Sequence, residues 1–315
     1  MKVQPQMNAG AVQAEKAVTL SVRNLSLTLP TEMGRTLLVD NVSFDIPRGT
    51  VVGLVGESGS GKSLTCNALS RLLPLRADVT GEVIFEGRDL LKLSKRELQD
   101  LRGESIGYVF QDPMTSLNPS LTIGRQIIET LVRHGRTRTD ARKRAAEMLD
   151  MVGIPAAAQR LNSYPHEFAG GMRQRALIAL ALSCSPSLLI ADEPTTALDV
   201  TVQAQILHLL REMQAEFGLS VLFVTHDLGV VADICNDVTV MYAGEVVEQG
   251  SVDAIFAKPV HPYTQSLLSS LHRRRGEPLR VIEGAPPTAG RWDPGCRFRP
   301  RCPLVHEACG THPPL

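Results

Sequence analysis

The sequence predicts an α/β fold in which a largely parallel sheet carries a glycine-rich loop at the carboxyl end of one strand. The first observation is an apolar run at 51–55 that leads into a glycine-rich loop and then a helix-forming stretch at 64–73. The second is a pair of strand-like runs at 188–191 and 220–225, separated by a stretch at 202–213 whose apolar residues recur at helical spacing. A strand, a long helix and a second strand in succession are typical of a parallel sheet.

Alternation of apolar and polar residues predicts further strands on both sides of the glycine-rich loop. Residues 18–29 alternate with one change of phase near Arg23, which is typical of one or two edge strands. Shorter strands are predicted at 44–46, 82–86 and 106–110.

From residue 112 to about residue 165 the pattern becomes helical. Strands at 238–242 and 245–248 are predicted to form a hairpin nearer the carboxyl end. One face of a helix is indicated by apolar residues at i, i+4, i+7, i+8 and i+11, namely Ala141, Ala145, Met148, Leu149 and Val152.

The glycine-rich loop has the G-x-x-x-x-G-K-S pattern of a polyphosphate-binding loop, or P-loop. Its glycines allow a tight turn in which backbone N–H groups point inward, and the helix N-terminus adds a favourable dipole. An ordinary glycine- and serine-rich turn is the alternative, but the flanking strand and helix and the Lys-Ser ending favour the P-loop. Lys62 would reach the outer phosphates, and the Ser63 hydroxyl would bind Mg²⁺. The predicted contacts are Gly56, Glu57, Ser58, Gly59, Ser60, Gly61, Lys62 and Ser63.

Two carboxylates follow the apolar run at 188–191. A buried strand would carry Asp192 to the sheet edge beside the P-loop, where it is predicted to hold Mg²⁺ through water. Glu193 would lie one residue further, in a position to orient or deprotonate an attacking water. Apolar strands that end in acids are common, so this pair indicates a nucleotide site only in combination with the P-loop.

The composition is that of a globular protein, with 315 residues, 43% hydrophobic and 21% charged residues, and a formal net charge of zero. Zero net charge favours neither nucleic acid nor an anionic membrane surface as a partner. No apolar run reaches the roughly 18 residues of a membrane span, and residues 1–16 lack the apolar core of a secretory signal. We therefore expect a flexible tail at 1–16 and a cytoplasmic protein that a partner could hold at a membrane.

Further segments resemble the motifs of the ATP-binding-cassette (ABC) ATPases, in the order of that family. Residues 168–175, Phe-Ala-Gly-Gly-Met-Arg-Gln-Arg, are similar to its signature motif, and Gln111 follows a predicted strand as the Q-loop glutamine does. Residues 196–199, Thr-Ala-Leu-Asp, are similar to the D-loop, and His226 resembles the switch histidine. The match covers about residues 18–255.

The resemblance implies an α/β P-loop NTPase fold with a RecA-like mixed sheet core, an antiparallel β edge, a helical subdomain at about 112–180 and a small C-terminal extension. It also implies that two such domains close head to tail around two ATP molecules. Each ATP would lie between one subunit's P-loop and the other's signature helix, where the N–H groups of Gly170 and Gly171 would face the γ-phosphate. Ala169 is counted among the implied nucleotide contacts. Asp199 of the D-loop is included among the implied nucleotide contacts.

Roles around the γ-phosphate follow from the same resemblance. Glu193 would polarise the attacking water, and His226 would hold the γ-phosphate and Glu193 in register. Gln111 would contact Mg²⁺ or the water and relay the nucleotide state to a docked partner. The implied catalytic residues are Glu193, His226, Lys62 and Gln111, and the implied Mg²⁺ ligands are Ser63, Gln111 and Asp192.

Two positions depart from the family pattern. Ala169 stands where the signature usually has serine, so a hydroxyl expected to bond the γ-phosphate across the dimer is missing. Either that site is weakened and the working pair is asymmetric, or the backbone N–H groups suffice. Met33 stands where family members often stack an aromatic ring on adenine; methionine still supplies apolar contact, and we expect modest base selectivity.

The last sixty residues resemble one branch of importer ATPases, which serves oligopeptides, dipeptides and nickel. Residues 260–268, which contain His-Pro-Tyr-Thr, carry this resemblance, and residues 164–167 and 195–201 fit it. Residues 295–303, with Cys309 after them, are similar to the branch's C-terminal cysteine motif. The chain is therefore expected to divide into a tail at 1–16, a nucleotide-binding domain at 17–255 and an extension at 256–315.

Three cysteines cluster in the extension with the spacing C-x₅-C-x₆-C, at Cys296, Cys302 and Cys309. Such clustering in a cytoplasmic protein indicates a metal site more than a disulfide. An iron–sulfur cluster or zinc would need a fourth ligand, which His306 or His312 could supply. The alternative is three reduced structural cysteines in a proline-rich tail.

The resemblance implies an ATPase subunit at the cytoplasmic face of the bacterial inner membrane that powers import of short peptides or a related solute. Its implied partners are a second ATPase subunit, with a heterodimer favoured, two transmembrane permease subunits and an extracytoplasmic solute-binding protein. Nickel or another small solute is the alternative within the branch. A soluble ABC ATPase acting on nucleic acid or ribosomes is a further alternative, which the single cassette without heptads or a basic tail disfavours. A tail that senses redox state or metal is compatible with transport.

Overall fold

The computed structural model describes residues 17–32, 34–196, 198–269, 282–292 and 294–313. Within them the α/β prediction is confirmed, with strands in two sheets and helices between and around them. The strands are β1 (Val18–Thr31), β2 (Gly34–Pro47), β3 (Val51–Val55), β4 (Asp78–Phe85), β5 (Arg88–Asp89), β6 (Ile106–Val109), β7 (Leu188–Asp192), β8 (Ser220–Thr225), β9 (Asp237–Tyr242) and β10 (Glu245–Ser251). The α-helices are α1 (Lys62–Leu69), α2 (Lys95–Glu104), α3 (Pro113–Ser116), α4 (Ile123–Arg133), α5 (Arg138–Met151), α6 (Ala157–Arg160), α7 (Gly170–Leu182), α8 (Val200–Phe217), α9 (Leu228–Ile234), α10 (Val252–Ala257) and α11 (Pro262–Ser269).

The larger sheet has the strand order β10-β9-β3-β8-β7-β6, and every neighbouring pair except β10 and β9 is parallel. Strands β3, β7 and β8 are buried along their whole length. Burial on both faces explains why they read as continuous apolar runs rather than as alternating patterns. Because parallel strands end at one edge, the segments that follow β3, β6, β7 and β8 meet there.

The smaller sheet is antiparallel, in the order β2-β1-β4-β5. The register of β1 against β2 shifts at several bulges, one of them between Val22 and Leu25, where Asn24 has a φ of +50°. This bulge accounts for the change of phase in the sequence pattern. The predicted strand at 44–46 proves to be the end of the much longer β2, because the bulges obscure the alternation of the residues before it.

The two sheets face each other across α1, which contacts β1, β2 and β7. Leu20 and Val83 of the smaller sheet, Leu54 and Ile190 of the larger sheet and Leu69 of α1 belong to one buried hydrophobic cluster. This core gives the loop between β3 and α1 a rigid base, because both elements that flank the loop are packed in the interior.

The helical part of the chain packs around a second buried cluster, to which α4, α5 and α7 contribute. Helix α5 buries four of the five predicted residues, Ala141, Ala145, Met148 and Leu149, and the fifth, Val152, is its buried C-cap. Thr137 caps this helix by accepting a hydrogen bond from the N–H of Asp140 at 3.2 Å. In the described part of the chain, we find no helix with the length and apolar character needed to cross a membrane.

The carboxyl-terminal residues pack directly on the larger sheet. Tyr263 of α11 and Phe298 join Tyr242 of β9 in a third buried cluster. Arg297 of the same tail forms an ion pair with Glu245 of β10 at 3.2 Å. The extension therefore shares a hydrophobic core with two strands of the sheet that carries the P-loop.

Candidate active site

The P-loop joins β3 to α1 at the edge where the parallel strands end. Gly61 caps α1 with a φ of +101°, a left-handed conformation that glycine adopts without strain. Gly56 lies so close to β9 that a Cβ on it would approach the carbonyl oxygen of Met241 to 2.2 Å. The N–H of Gly244 donates to the carbonyl of Ser60 at 2.9 Å and ties the loop to the β9–β10 turn. Of the two glycines that the P-loop pattern fixes, Gly61 is thus required by its backbone conformation and Gly56 by the lack of space for a side chain.

The Lys62 side chain folds back into the loop. Its Nζ donates to the carbonyl oxygens of Gly56 at 2.8 Å and Glu57 at 2.9 Å. Burial lowers the pKa of this ammonium, while the carboxylates of Glu193 and Asp192 act in the opposite direction. A cation that is held by backbone carbonyls here is well placed to exchange them for phosphate oxygens.

Ser63 and Asp192 form the next contact, between the start of α1 and the end of β7. Ser63 Oγ donates to Asp192 Oδ1 at 3.0 Å. Burial raises the pKa of Asp192, and the hydrogen bond from Ser63 partly opposes that shift. A hydroxyl and a carboxylate side by side are hard oxygen ligands of the kind that Mg²⁺ prefers, so these residues fit that ion.

Three neighbouring side chains contact the same oxygen of the Glu193 carboxylate. Its Oε2 accepts hydrogen bonds from Thr196 Oγ1 at 2.7 Å and from Gln111 Nε2 at 3.3 Å. His226 Nδ1 lies 3.3 Å from the same oxygen. Glu193 has a φ of +47°, which is uncommon for a residue with a side chain, and its N–H donates to the carbonyl of Val224 at 3.0 Å. The structure thus brings the predicted acid, glutamine and histidine together.

Thr196 is a contact of the acid that the sequence did not identify, since it entered only as the first residue of the D-loop segment. Its N–H donates to the carbonyl of Glu193 at 3.2 Å, which closes a tight turn after β7. The turn returns the threonine hydroxyl to the carboxylate three residues before it. The available signal was Pro194 after the acid, because proline favours the second position of such a turn.

The signature residues begin α7, where they adjoin the D-loop. Ala169 is the N-cap of α7 and makes no side-chain capping bond. A Cβ at Gly170 would meet open space among the described residues, whereas one at Gly171 would lie 2.7 Å from Val202 of α8. Asp199 caps α8 by accepting a hydrogen bond from the N–H of Val202 at 2.9 Å. The structure therefore places the signature and the D-loop at the N-termini of two neighbouring helices.

Two predicted positions lie outside the described residues. They are Met33, the expected adenine contact, and Ala197 in the middle of the D-loop. Two further P-loop residues, Ser58 and Gly59, are exposed on the outer turn of the loop.

The described residues give no support to the predicted metal site at the tail cysteines. Cys296, Cys302 and Cys309 line a cavity of about 650 Å³ together with His306 and His312. However, within the described ranges no group of three or more His, Cys, Asp or Glu side chains is arranged to hold a metal ion. The N–H of Cys296 donates to the carbonyl of Cys309 at 3.0 Å, so the first and last cysteines of the cluster are joined through their backbone.

Comparison with known proteins covers almost the whole chain. Residues 39–196 match the ABC transporter family, and residues 247–309 match the oligopeptide/dipeptide transporter C-terminal region. The chain is 49% identical over 301 residues to the oligopeptide transport ATP-binding protein OppD of Salmonella typhimurium, covering 95% of this chain and 90% of that protein. It is 50% identical over 295 residues to the dipeptide transport ATP-binding protein DppD of Bacillus subtilis, covering 92% and 88%.

Solved structures show the same architecture. Protein cbiO1 of Clostridium perfringens, part of the ABC transporter complex cbiONQ, matches with a TM-score of 0.66 and 30% identity, over 77% of this chain and 92% of that chain. The ATP-binding cassette MJ0796, in a dimeric post-hydrolysis state bound to ADP and Pi, matches with a TM-score of 0.66 and 31% identity, over 74% and 98%. From its P-loop and these relatives, we conclude that the chain is an ABC transporter ATPase of the oligopeptide/dipeptide transporter family.

Proposed function

We propose that this chain hydrolyses ATP to power the import of oligopeptides, dipeptides or a related solute. The observation that supports it most is the meeting of the P-loop, Asp192 and Glu193 at one sheet edge, in a chain whose residues 247–309 match the oligopeptide/dipeptide transporter C-terminal region. The names of the relatives point to the same solute class.

Binding of the triphosphate is assigned to the P-loop. Its inward N–H groups and the start of α1 would bind the phosphate oxygens, and Lys62 would exchange its carbonyl partners for the outer phosphates. Ser63 and Asp192 would hold Mg²⁺, which neutralises phosphate charge when bound. Because the Lys62 ammonium and the Asp192 carboxylate are both largely buried, their charges act with little screening by solvent.

Hydrolysis is assigned to the residues around Glu193. A water oxygen attacks the γ-phosphorus, the bond from that phosphorus to the bridging oxygen breaks, and ADP leaves with the electron pair. The Glu193 carboxylate accepts a proton of the attacking water, so the products are ADP and phosphate. Gln111 and Thr196 fix the carboxylate by their hydrogen bonds, and His226 would bridge it to the γ-phosphate.

A second ATPase subunit would complete each site with its signature helix. In this chain Ala169 offers no hydroxyl at the N-cap of α7, so the site that it completes in its partner would be the weaker of the two. A heterodimer with a subunit that has serine at this position would keep one full site. The exposed Gly170 at the start of α7 is consistent with a helix end that faces a partner's nucleotide.

Restoring the serine tests this asymmetry. We expect Ala169→Ser to raise ATP turnover of the assembled transporter about tenfold, because a hydrogen bond to a charged group contributes about 1.5–3 kcal/mol. Phosphate release from the purified complex measures the change. Ala215→Ser, on an exposed position of α8, serves as the control and should leave turnover unchanged. Equal turnover of Ala169→Ser and the parent complex would show that the backbone N–H groups suffice.

Two transmembrane permease subunits and an extracytoplasmic solute-binding protein are the proposed partners, with this chain at the cytoplasmic face of the inner membrane. The permeases would dock near Gln111, which connects the strand end of β6 with the catalytic acid. The division at 255/256 into nucleotide-binding domain and extension is part of the same proposal. Neither a metal in the tail nor a nucleic-acid partner is included.

Uptake by the assembled transporter tests the proposed function. The tagged chain is purified in mild detergent, its membrane partners are identified, and the complex is reconstituted into vesicles that contain ATP. With the solute-binding protein outside, we expect labelled di- or oligopeptides to accumulate, and Lys62→Ala to abolish accumulation. Uptake of Ni²⁺ without uptake of peptides would show that the transported solute is nickel and not a peptide. Retention on nucleic acid without any membrane partner would overturn the transport proposal.

A further inference from the structure

The first variable residue of the P-loop, Glu57, is held by the C-terminal extension. Its backbone N–H donates to the Tyr263 hydroxyl of α11 at 2.8 Å. Its carboxylate receives both terminal nitrogens of Arg301, with Nη1 to Oε2 at 2.8 Å and Nη2 to Oε1 at 3.2 Å. These contacts span 206 and 244 residues of sequence. One P-loop residue is thus fixed through its main chain and its side chain by two separate segments of the extension.

The Arg301 guanidinium is itself fully engaged. Besides Glu57, it donates from Nη1 to the Tyr242 hydroxyl at 3.3 Å, from Nε to the Glu283 carbonyl at 3.1 Å and from Nη2 to the Ile282 carbonyl at 3.4 Å. Its side chain is 5% exposed, against 24% for that of Glu57. Buried bidentate pairs of this kind fix both distance and orientation, whereas exposed pairs contribute little.

An aromatic cluster packs against the side chains that hold Glu57. The Tyr242 and Tyr263 rings lie 4.6 Å apart, and Phe298 meets the Tyr242 ring edge-on at 5.3 Å. All three side chains are at most 1% exposed. Since a buried tyrosine with locked neighbours has little freedom to rotate, its hydroxyl is a fixed acceptor for the Glu57 N–H.

The held residue also contacts the P-loop cation, because the Glu57 carbonyl accepts from Lys62 Nζ at 2.9 Å. A shift of Glu57 would therefore move the loop N–H groups and the lysine together. We propose that Tyr263 and Arg301 are positioning residues of the nucleotide site, which set the P-loop for binding Mg·ATP through Glu57. This inference rests on the phosphate-binding role proposed for the P-loop and extends that role to the C-terminal extension.

Removing either contact should weaken Mg·ATP binding without slowing the chemical step. Tyr263→Phe keeps the buried ring but leaves the Glu57 N–H without its acceptor, and we expect Kd and KM for ATP to rise about three- to tenfold. Arg301→Gln should raise them about tenfold, with partial recovery in Arg301→Lys, which keeps the charge but not the fork. The kcat should stay within about twofold of the parent value, because neither residue contacts Glu193 or Asp192.

Titration of the purified full-length chain with Mg·ATP and turnover of the assembled transporter test this positioning role. Ile255→Val is the control for packing, since Ile255 of α10 lies in the third buried cluster but contacts neither Glu57 nor the aromatic rings through a hydrogen bond or ring contact. We expect it to lower Tm and to leave Kd unchanged. A double-mutant cycle of Arg301→Gln with Glu57→Gln should be non-additive, the double variant binding no more weakly than the weaker single variant.

Three outcomes would contradict either the positioning role of Tyr263 and Arg301 or the nucleotide site itself. Unchanged Kd and KM in Tyr263→Phe and Arg301→Gln, with Lys62→Ala still abolishing binding, would overturn the positioning role alone. A rise in Kd that follows the fall in Tm across all variants, Ile255→Val included, would reduce the contacts to structural support and would equally overturn the positioning role. Full Mg·ATP affinity in Lys62→Ala would instead remove the proposed nucleotide site itself.

Discussion

Glu193→Gln should lower kcat for ATP hydrolysis by roughly 10²–10⁴-fold while Mg·ATP binding stays within about threefold of the parent value. The amide has nearly the shape of the carboxylate and can still accept a hydrogen bond from the Thr196 hydroxyl, so the local geometry should survive. It cannot take the proton of the attacking water. It also removes a negative charge near the γ-phosphate, which favours retention of bound ATP. Phosphate release and nucleotide titration of the same preparation measure the two effects.

A matched substitution separates this effect from a general loss of charge. Glu216→Gln removes an exposed carboxylate from α8, far along the chain from the acid, and should leave both kcat and Kd as they are. If Glu193→Gln hydrolyses ATP at more than a tenth of the parent rate, another group accepts the proton. The role assigned to Glu193 is then wrong.

Lys62→Ala should weaken Mg·ATP binding by at least about 100-fold. The ammonium donates charge-assisted hydrogen bonds worth about 1.5–3 kcal/mol each, and two to phosphate oxygens would suffice for a loss of this size. The substitution also deprives the Gly56 and Glu57 carbonyls of the donor that they share, which loosens the loop. Nucleotide titration at constant Mg²⁺ measures Kd, and thermal unfolding checks that the chain is folded.

Lys92→Ala is the control for a lost lysine. Lys92 is 74% exposed and pairs with Asp89 at 2.9 Å, so its loss should change the stability of the fold little and leave Kd unchanged. Equal affinity of Lys62→Ala and the parent for Mg·ATP would contradict the phosphate-binding role of the P-loop.

Local sequence pattern predicted the parts of the fold that depend on neighbours in the chain. Strand β3, the P-loop and α1 follow one another in sequence, so their order, burial and glycine positions could be read from 51–69. The same holds for β7, α8 and β8, whose apolar runs and helical spacing reflect burial in a parallel sheet. The position of Asp192 beside the P-loop was predictable because parallel strands end at one edge, and its hydrogen bond from Ser63 agrees with that position.

Contacts that depend on turns and on distant segments were not predictable in this way. The bulge at Asn41 hid the length of β2. The left-handed backbone of Glu193 was needed to bring the Thr196 hydroxyl onto the Glu193 carboxylate. The ion pair of Glu57 with Arg301 leaves no periodic trace, because its partners lie in a loop and a proline-rich tail. Cysteine spacing indicated a metal site that no side-chain group among the described residues supports, since spacing records sequence distance and not the direction of side chains.

Several expectations stay predictions. The adenine contact at Met33 lies outside the described residues. The roles of Ala169, Gly170 and Gly171 depend on a second subunit, and so does that of Asp199. The single chain shows that these residues lie at the N-termini of two neighbouring helices, α7 and α8.

The third hydrophobic cluster has a consequence for how the two parts of the chain are inherited. Tyr242 belongs to the cassette and Tyr263 and Phe298 to the extension, yet all three fill one interior. If the extension were replaced by that of a relative, its side chains would not be matched in shape to those of the cassette. Such a chimera is expected to have packing defects in the core next to strand β9. Cassette and extension are expected to evolve as one unit, with substitutions on one side compensated on the other.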